Sequence, residues 1–136
     1  MEDRIRDSFA RQGLMQTFGA AVTAITPGRV EITAPITPAS SQQHGAAHAG
    51  LTFALADSAA GYAALTLMPE GREVMTAEAK INLLAPAVGD TLIARGEVAK
   101  AGRRLTVVRA EVFAQAAGRE TCVALLQATM IAVDPA

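Results

Sequence analysis

The hydrophobic residues of this chain follow two different patterns, and the first has a period of two. Val30, Ile32 and Ala34 alternate with polar neighbours, which is typical of a strand with one buried face. A strand-like run before them stops at the turn dipeptide Pro27-Gly28, so these two strands are predicted to form a hairpin. The predicted strands cover residues 20–25, 30–36, 73–84, 90–100, 103–115 and 120–133.

The second pattern is a long apolar run over residues 49–69, in which Asp57 is the one residue charged at neutral pH. The run is long enough for a helix of about five turns. Apolar side chains lie on nearly all of its sides, which predicts a buried helix rather than a half-exposed one. Residues 37–47 are polar and small and lead into it as a loop, and residues 69–71 end it in a turn.

Weaker patterns predict the remaining elements. Ile5, Phe9 and Leu14 lie among charged residues, which indicates a weakly amphipathic helix over residues 2–14 that packs on one surface. Turn dipeptides separate the last four strands, at residues 89–90, 101–102 and 117–118. Because these connections are short, we expect the four strands to form an antiparallel meander.

The order of the predicted elements indicates the fold. The predicted order is a helix, two strands, one long buried helix and four strands. A sheet whose concave face wraps one apolar helix buries that helix without a second helical layer. We therefore expect an α+β protein with the hotdog fold, an antiparallel sheet wrapped around one long central helix, as a single domain over residues 1–136. The open edge strands of such a sheet pair with a second copy, which predicts a homodimer.

Composition and charge narrow the classes of function. Of the 136 residues 51% are hydrophobic, and the formal net charge of -1 gives little support for nucleic-acid binding. The single cysteine excludes an internal disulfide framework, and the charged start of the chain contains no secretion signal. The central run is rich in alanine and carries a carboxylate, which argues against a membrane span. A cytoplasmic enzyme is therefore expected.

Asp57 is the first candidate for chemistry. A carboxylate inside an apolar helix loses hydration, which costs several kcal/mol unless it is paired or protonated. A structural explanation is that Asp57 caps another element or has a buried arginine partner. Aspartate is, however, a poor mid-helix residue, and no cation lies within one helical turn of it in the sequence. Ionisable groups in apolar helices are often catalytic, so we favour the functional interpretation.

At residues 44–61 the chain reads HGAAHAGLTFALADSAAG, which resembles the signature of the PaaI-type hotdog thioesterases, N-x-H-G-x-x-H-G-G followed by a helix with L-A-D. The segments TAEAKINLLAPAVGDTL and KAGRRLTVVRAEVF are similar to later parts of that family. The resemblance implies hydrolysis of an acyl-CoA thioester, with an aryl or medium-chain acyl group and a place in phenylacetate degradation. It implies no cofactor, because CoA is part of the substrate.

The resemblance also assigns roles to individual residues. It makes Asp57 the general base or nucleophile, and it makes the backbone N–H of Ala49 the donor that polarises the thioester carbonyl. Gln42 takes the position of the family's asparagine, and Thr76 matches a hydroxyl that assists the attacking water. Ala49 replaces the first glycine of the family's pair, and Gly50, the second, is assigned to substrate binding. Gln42 is one methylene longer than asparagine.

The spacing of two of these residues predicts how the site is assembled. Ala49 and Asp57 are eight residues apart, roughly 12 Å along a helix, so one carbonyl cannot contact both residues of the same helix. We therefore expect two composite sites in a homodimer, each with Gln42 and Ala49 from one chain and Asp57 and Thr76 from the other. Pairs of dimers are expected to form a tetramer. A helix N-terminus suits a developing oxyanion because its N–H groups are unpaired.

Two histidines near the helix start are further candidates. His44 and His48 are four residues apart, but no third cysteine or carboxylate ligand is near them in the sequence, so no metal site is predicted. His48 is placed in the catalytic set, where it braces the loop by hydrogen bonds. His44 is either a polar loop residue or a minor substrate contact.

The remaining candidates are contacts to the two ends of the substrate. Lys100, Arg103 and Arg104 flank a predicted hairpin turn and are either solvated charges or a clamp on the phosphates of CoA. Tyr62 either lines an acyl pocket or packs in the core.

Two other functions are compatible with the fold. A non-catalytic acyl-CoA-binding hotdog protein would leave Asp57 without a purpose, and a hotdog hydratase or dehydratase needs a histidine that this helix lacks. Hydrolysis is therefore the preferred function, either by activated water or through an anhydride formed by Asp57.

Overall fold

The computed structural model describes residues 1–136 and consists of one antiparallel sheet and three helices. The helices are α1 (Glu2–Ala10), α2 (Gly13–Thr17) and α3 (Ala49–Leu65), with a short 3-10 turn at Pro38–Ser40. The strands are β1 (Ala21–Thr26), β2 (Arg29–Pro35), β3 (Glu73–Leu83), β4 (Thr91–Ala101), β5 (Leu105–Ala116) and β6 (Arg119–Val133). The sheet packs around α3, which confirms the α+β class and the hotdog fold.

The six strands lie in the order β1-β2-β4-β5-β6-β3, and every neighbouring pair is antiparallel. The β1–β2 hairpin is confirmed, but the predicted meander of four strands is wrong. Only β4, β5 and β6 follow one another, whereas β3 pairs with β6 at the edge of the sheet. The segment after β3 makes no tight turn into β4. It is held by other parts of the chain, since the Leu84 N–H donates to the Val123 carbonyl and the Ala87 carbonyl accepts from the Ala47 N–H. It crosses the end of the sheet before β4 begins.

The N-terminal segment forms two helices instead of the single predicted one. Gln12 is extended, with φ -79° and ψ 102°, and Gly13, a weak helix former, starts α2. The break changes which residue of the second helix faces inward. Ile5 is buried as expected, but Leu14 is 54% exposed and Met15 takes the buried position.

The core lies between α3 and the concave face of the sheet. Val108, Ala110 and Val112 of β5 alternate with exposed or half-buried neighbours, as period-two strands require. Gly96 of β4 lies against the backbone of Ala59 so closely that a Cβ would come within 2.3 Å of it. The absence of a side chain at Gly96 lets β4 approach the backbone of α3. No helix of the protein is both long enough and apolar enough to cross a membrane.

Candidate active site

The start of α3 leaves one backbone donor free. His48 is the N-cap residue: its Nδ1 accepts a hydrogen bond from the Gly50 N–H at 2.8 Å. The carbonyl of His48 accepts from Leu51 at 3.0 Å and from Thr52 at 3.4 Å. The Ala49 N–H has no acceptor in the protein. The first turn therefore presents one unpaired donor, together with the partial positive charge of the helix end.

This donor lies at the wall of a cleft of about 410 Å³. The cleft is mostly apolar and is lined by Gln42, Ala46, Ala47, Ala49, Thr52, residues 83–87 and Val123. Gln42 contributes a side-chain amide to this cleft. Its Oε1 accepts a hydrogen bond from the His44 N–H, and its Nε2 has no hydrogen-bond partner in the protein. An apolar wall strengthens any hydrogen bond that the Ala49 N–H or the Gln42 amide makes to a bound carbonyl.

One face of α3 is not covered by the sheet. Gly50, Phe53, Ala54, Asp57 and Ser58 recur at spacings of three and four, and all are exposed or half-buried. The prediction of a helix buried on all sides is therefore wrong for this stripe within one chain, because the sheet wraps only the opposite side. Phe53, 39% exposed, lies in the middle of the stripe.

Asp57 lies on this stripe and contacts β3. The Thr76 hydroxyl donates to Asp57 Oδ1 at 2.7 Å and lies 3.3 Å from the sulfur of Met130. No lysine or arginine forms an ion pair with Asp57, which excludes the structural explanation of a buried arginine partner. The carboxylate is half-buried rather than fully buried as expected, since the uncovered face of α3 opens toward solvent.

The four central candidates thus form two pairs. Gln42 and Ala49 share the cleft at the start of α3, whereas Asp57 and Thr76 are joined by a hydrogen bond two turns further along. The distance along the helix between Ala49 and Asp57 is roughly 12 Å. Neither Asp57 nor Thr76 lines the cleft that Gln42 and Ala49 share within one chain.

The histidines and Tyr62 lie apart from Asp57. His44 is exposed on a turn that Gly45 makes at φ +87°. Tyr62 is buried: its ring packs against Phe9 at 6.1 Å between centroids, and its hydroxyl contacts Ser8. No group of three or more histidine, cysteine or carboxylate side chains is arranged to hold a metal ion.

The three predicted cations lie on another part of the surface. Lys100, Arg103 and Arg104 are exposed at the tip of the β4–β5 hairpin, and none of them forms an ion pair within the chain. Their charges are therefore available to a ligand or to solvent.

A second, polar cleft of about 220 Å³ lies between α1, α3 and β3 and was not predicted from the sequence. It is lined by Ser8, Gln12, Ser58, Gly61, Tyr62, Glu73 and Val74. These residues come from α1, the loop before α2, α3 and β3, so no local motif unites them. The only signal in the sequence is that Ser58 follows Asp57 directly.

Comparison with known proteins agrees with this architecture. Residues 44–121 match the model of the thioesterase superfamily. A thioesterase family protein from Silicibacter pomeroyi is 46% identical, with 98% of each chain covered and a TM-score of 0.96. The PaaI protein of the E. coli phenylacetic acid degradation operon is 24% identical, with 94% of this chain and 89% of that chain covered and a TM-score of 0.84. No curated protein matches the chain.

Proposed function

Because the chain belongs to the thioesterase superfamily and is a thioester hydrolase, we propose that it hydrolyses acyl-CoA at sites shared between two copies. Each site combines Asp57 and Thr76 of one copy with Gln42 and the Ala49 N–H of the other. One observation carries the proposal. The free Ala49 N–H lies at the exposed start of α3 and the cation-free Asp57 carboxylate lies on the uncovered face of the same helix, too far apart to act on one carbonyl within a chain.

A two-fold dimer would bring Ala49 of one copy close to Asp57 of the other. In a symmetric pair with antiparallel α3 helices, Ala49 faces the partner's Asp57 when the axis passes near Phe53, midway between residues 49 and 57. Phe53 and Gly50 lie on the uncovered stripe, as this arrangement requires. β3 is an edge strand beside that stripe, and its Met75 is 57% exposed. Covering both features with a second copy buries apolar surface and completes each site at once.

The chemistry follows from the two pairs. The Ala49 N–H and the end of the helix dipole stabilise the negative charge that develops on the thioester oxygen. Thr76 holds Asp57 Oδ1, so Oδ2 is free to take a proton from water as the water oxygen attacks the carbonyl carbon. The tetrahedral intermediate then collapses, the carbon–sulfur bond breaks, and the CoA thiolate leaves. A thiolate is a good leaving group, so no strong acid is required.

Direct attack by Asp57 is the second route that the geometry permits. The carboxylate oxygen would form an acyl anhydride with release of the CoA thiolate, and water would then cleave the anhydride. A single turnover in water labelled with oxygen-18 puts label in the Asp57 carboxylate when water opens an anhydride at the Asp57 carbon. Label in the product acid alone means that water attacked the acyl carbon of the thioester or of the anhydride, and trapping of an acyl-enzyme with hydroxylamine separates these two cases.

The wider assignment rests on similarity and on exposed charge. The resemblance of residues 44–61 to the PaaI-type signature is the basis for proposing an aryl or medium-chain acyl group and a place in phenylacetate degradation. The unpaired cations Lys100, Arg103 and Arg104 are suited to the phosphates of CoA. We further propose a cytoplasmic enzyme of one domain over residues 1–136, active as a dimer that pairs into a tetramer.

The proposed function is tested by thiol release from a panel of aryl, short and medium acyl-CoAs. We expect Asp57→Asn to lower kcat by about 10²–10⁴-fold, because a general base contributes a factor of this size. Asp90→Asn, a change of the same chemistry at an exposed residue outside both clefts, serves as the matched control. Circular dichroism checks that both variants fold. Equal rates in the wild type and Asp57→Asn would refute the assignment of the base.

A further inference from the structure

Thr52 carries a buried hydroxyl group that the proposed mechanism does not use. It lies in the first turn of α3, three residues after Ala49, and is only 2% exposed. Other side chains of this segment make hydrogen bonds, among them His48, Asp57 and Tyr62, but Thr52 makes none. Burying a hydroxyl without a partner costs free energy, and an apolar residue at this position would avoid that cost.

The Thr52 hydroxyl is free because its usual acceptor is already occupied. A threonine in a helix bonds to the carbonyl four residues earlier or points into water. For Thr52 that carbonyl belongs to His48, and it accepts from the backbone N–H groups of Leu51 and Thr52 instead. No side-chain polar atom of the protein is both sealed from solvent and without a partner. The Thr52 hydroxyl therefore opens into the cleft that Thr52 lines, where a bound group can reach it.

Thr52 and the free Ala49 N–H face the same space. Residues three apart on a helix are neighbours, with Cβ atoms about 5–6 Å apart. Helical side chains lean toward the N-terminus of the helix, so the Thr52 side chain leans toward the end where the Ala49 N–H has no acceptor. Both residues line the same mostly apolar cleft. One oxygen atom placed between them can accept from both donors.

We propose that the Thr52 hydroxyl is a second oxyanion donor, which hydrogen-bonds to the thioester oxygen beside the Ala49 N–H. This role rests on the proposed function and adds a catalytic residue to the same site. When water attacks the acyl carbon, the carbon–oxygen double bond becomes single and negative charge collects on the oxygen. The hydroxyl keeps its proton and donates more strongly to the charged oxygen than to the neutral carbonyl. The apolar wall of the cleft increases this difference.

Thr52→Val tests the donor, because valine keeps the shape of the side chain and removes the hydroxyl. We expect kcat to fall by about 10²-fold, as when one donor of an oxyanion hole is lost, while KM stays within a few fold of the wild type. Thr52→Ser keeps the hydroxyl and should stay within about tenfold of wild-type kcat. Thr106→Val is the matched control: Thr106 is also buried, lies on β5 and lines neither cleft, so its variant should keep wild-type kcat.

Urea denaturation of Thr52→Val separates a catalytic role from a structural one. Because the hydroxyl has no partner in the protein, its removal should leave the urea midpoint equal to that of the wild type or higher. Loss of activity together with a lower midpoint would mean that the hydroxyl holds the fold, and it would overturn the inference.

Two thioesters of one acid identify the part of the substrate that Thr52 contacts. They are the acyl-CoA of the panel with the highest kcat/KM and the S-ethyl thioester of the same acid, which has the carbonyl but none of the amides of CoA. We expect Thr52→Val to lower kcat/KM by the same factor for both. A loss confined to the CoA thioester, or a rise in KM alone, would place Thr52 on the CoA arm and overturn the inference.

Failure of this inference can be told from failure of the proposed function. Hydrolysis that depends on Asp57 but is unchanged by Thr52→Val would overturn the role of Thr52 and leave the proposed function standing. Failure of the wild type to hydrolyse any acyl-CoA would overturn both.

Discussion

At the scale of single residues, the contact between Asp57 and Thr76 decides how the carboxylate can act. The Thr76 hydroxyl donates to Oδ1 at 2.7 Å, and no cation neutralises the charge. The hydrogen bond therefore fixes the orientation of the carboxylate while Oδ2 stays free for water. In the proposed site, Thr76 acts through Asp57 and is a positioning residue.

Substitution of Thr76 tests this positioning. Thr76→Val keeps the shape but removes the donor, and we expect kcat to fall by about 10- to 100-fold, the cost of losing a hydrogen bond to a charged group. Thr76→Ser keeps the hydroxyl and should stay within a few fold of the wild type. Both are measured by thiol release, with KM determined separately. Equal kcat values for the two variants would show that the hydroxyl has no part in the reaction.

The residue scale also shows what sequence alone can predict about a site. His48, Ala49 and Asp57 belong to one local motif, so its resemblance to a known family signature suggests their roles. Ser8 and Glu73 reach the polar cleft only because α1 and β3 pack beside α3, and such contacts between distant segments have no local signal. The exposure of Asp57 also has no local signal in the sequence, since it depends on which face of α3 the sheet leaves open.

At the scale of elements, the position of α3 depends on close contact with β4. Gly96 lies against the backbone of Ala59, with no space for a Cβ. This contact sets the distance between helix and sheet, and with it the position of Asp57 relative to β3. The glycine is required by the close approach, not by a turn.

Gly96→Ala tests the contact. The added methyl group forces the helix and the strand apart, and we expect a loss of about 2–3 kcal/mol in the free energy of unfolding, as for other overpacked cores. Gly13→Ala, where nothing lies within 4 Å of the added Cβ, is the matched control and should change stability by less than about 1 kcal/mol. Urea denaturation measures both. A neutral Gly96→Ala would mean that α3 and β4 are not in this contact.

The outer face of the sheet carries a charge network that joins three strands. Arg95 of β4 donates to Glu31 of β2 at 2.9 Å and to Glu120 of β6 at 2.8 and 2.9 Å, crossing β5 over the ring of Phe113. Hydrogen bonds from Arg95 hold the pKa of Glu120 below its ordinary value. Burial raises the pKa of Glu31, but hydrogen bonds from Thr23 and Arg95 offset it, and the net pKa is also lowered.

These shifts predict how stability depends on pH. Both glutamates have a lower pKa in the folded chain than the ordinary 4.5, so the unfolded chain binds protons first as the pH falls. Their contribution is present above pH 4.5 and is lost as the pH falls through the lowered folded pKa values. We expect Arg95→Met to lower the urea midpoint at pH 7 and to weaken its decline between pH 5 and pH 3.

Arg103→Met is the control for this experiment, because Arg103 is exposed and unpaired. It should keep both the midpoint at pH 7 and the wild-type decline. Parallel declines for Arg95→Met and the wild type would contradict the assignment of the acid sensitivity to this network.

The periodicity of the sequence predicts which elements form, but it does not predict the order of the strands in the sheet. The β1–β2 hairpin and the central helix follow from patterns within a few residues, and both are present in the structure. The place of β3 beside β6 does not, because β3 and β4 are neighbours in the sequence whereas β5 and β6 lie between them in the sheet. The residues that form a strand can be predicted from nearby sequence, whereas the order of the strands depends on contacts between distant segments.

At the scale of the whole molecule, the proposed function gives each chain two half-sites. The free Ala49 N–H lies at one end of the uncovered stripe of α3, and Asp57 lies near the other. The stripe and the edge strand β3 together offer a second copy an uncovered surface that includes the exposed side chains of Phe53 and Met75. Dimerisation and catalysis are therefore predicted to depend on each other, because the surface that forms the dimer interface also completes the two sites.

A complementation experiment requires one variant that disables each half-site. Asp57→Asn removes the base. Ala49→Pro removes only the free N–H, since proline is accepted at the first position of a helix and His48 before it is already extended, with φ -61° and ψ 141°. Each variant alone should lose about 10²–10⁴-fold in kcat. Ala49→Gly, which keeps the N–H, should retain activity.

The most direct test of the shared site is the activity of the two variants unfolded together and refolded as a mixture. In a mixed dimer, one site carries both defects and the other carries neither. Random pairing of equal amounts should therefore restore about one quarter of wild-type kcat per chain. If each chain held a complete site of its own, every site in the mixture would lack one group, and the activity would stay at the level of the separate variants.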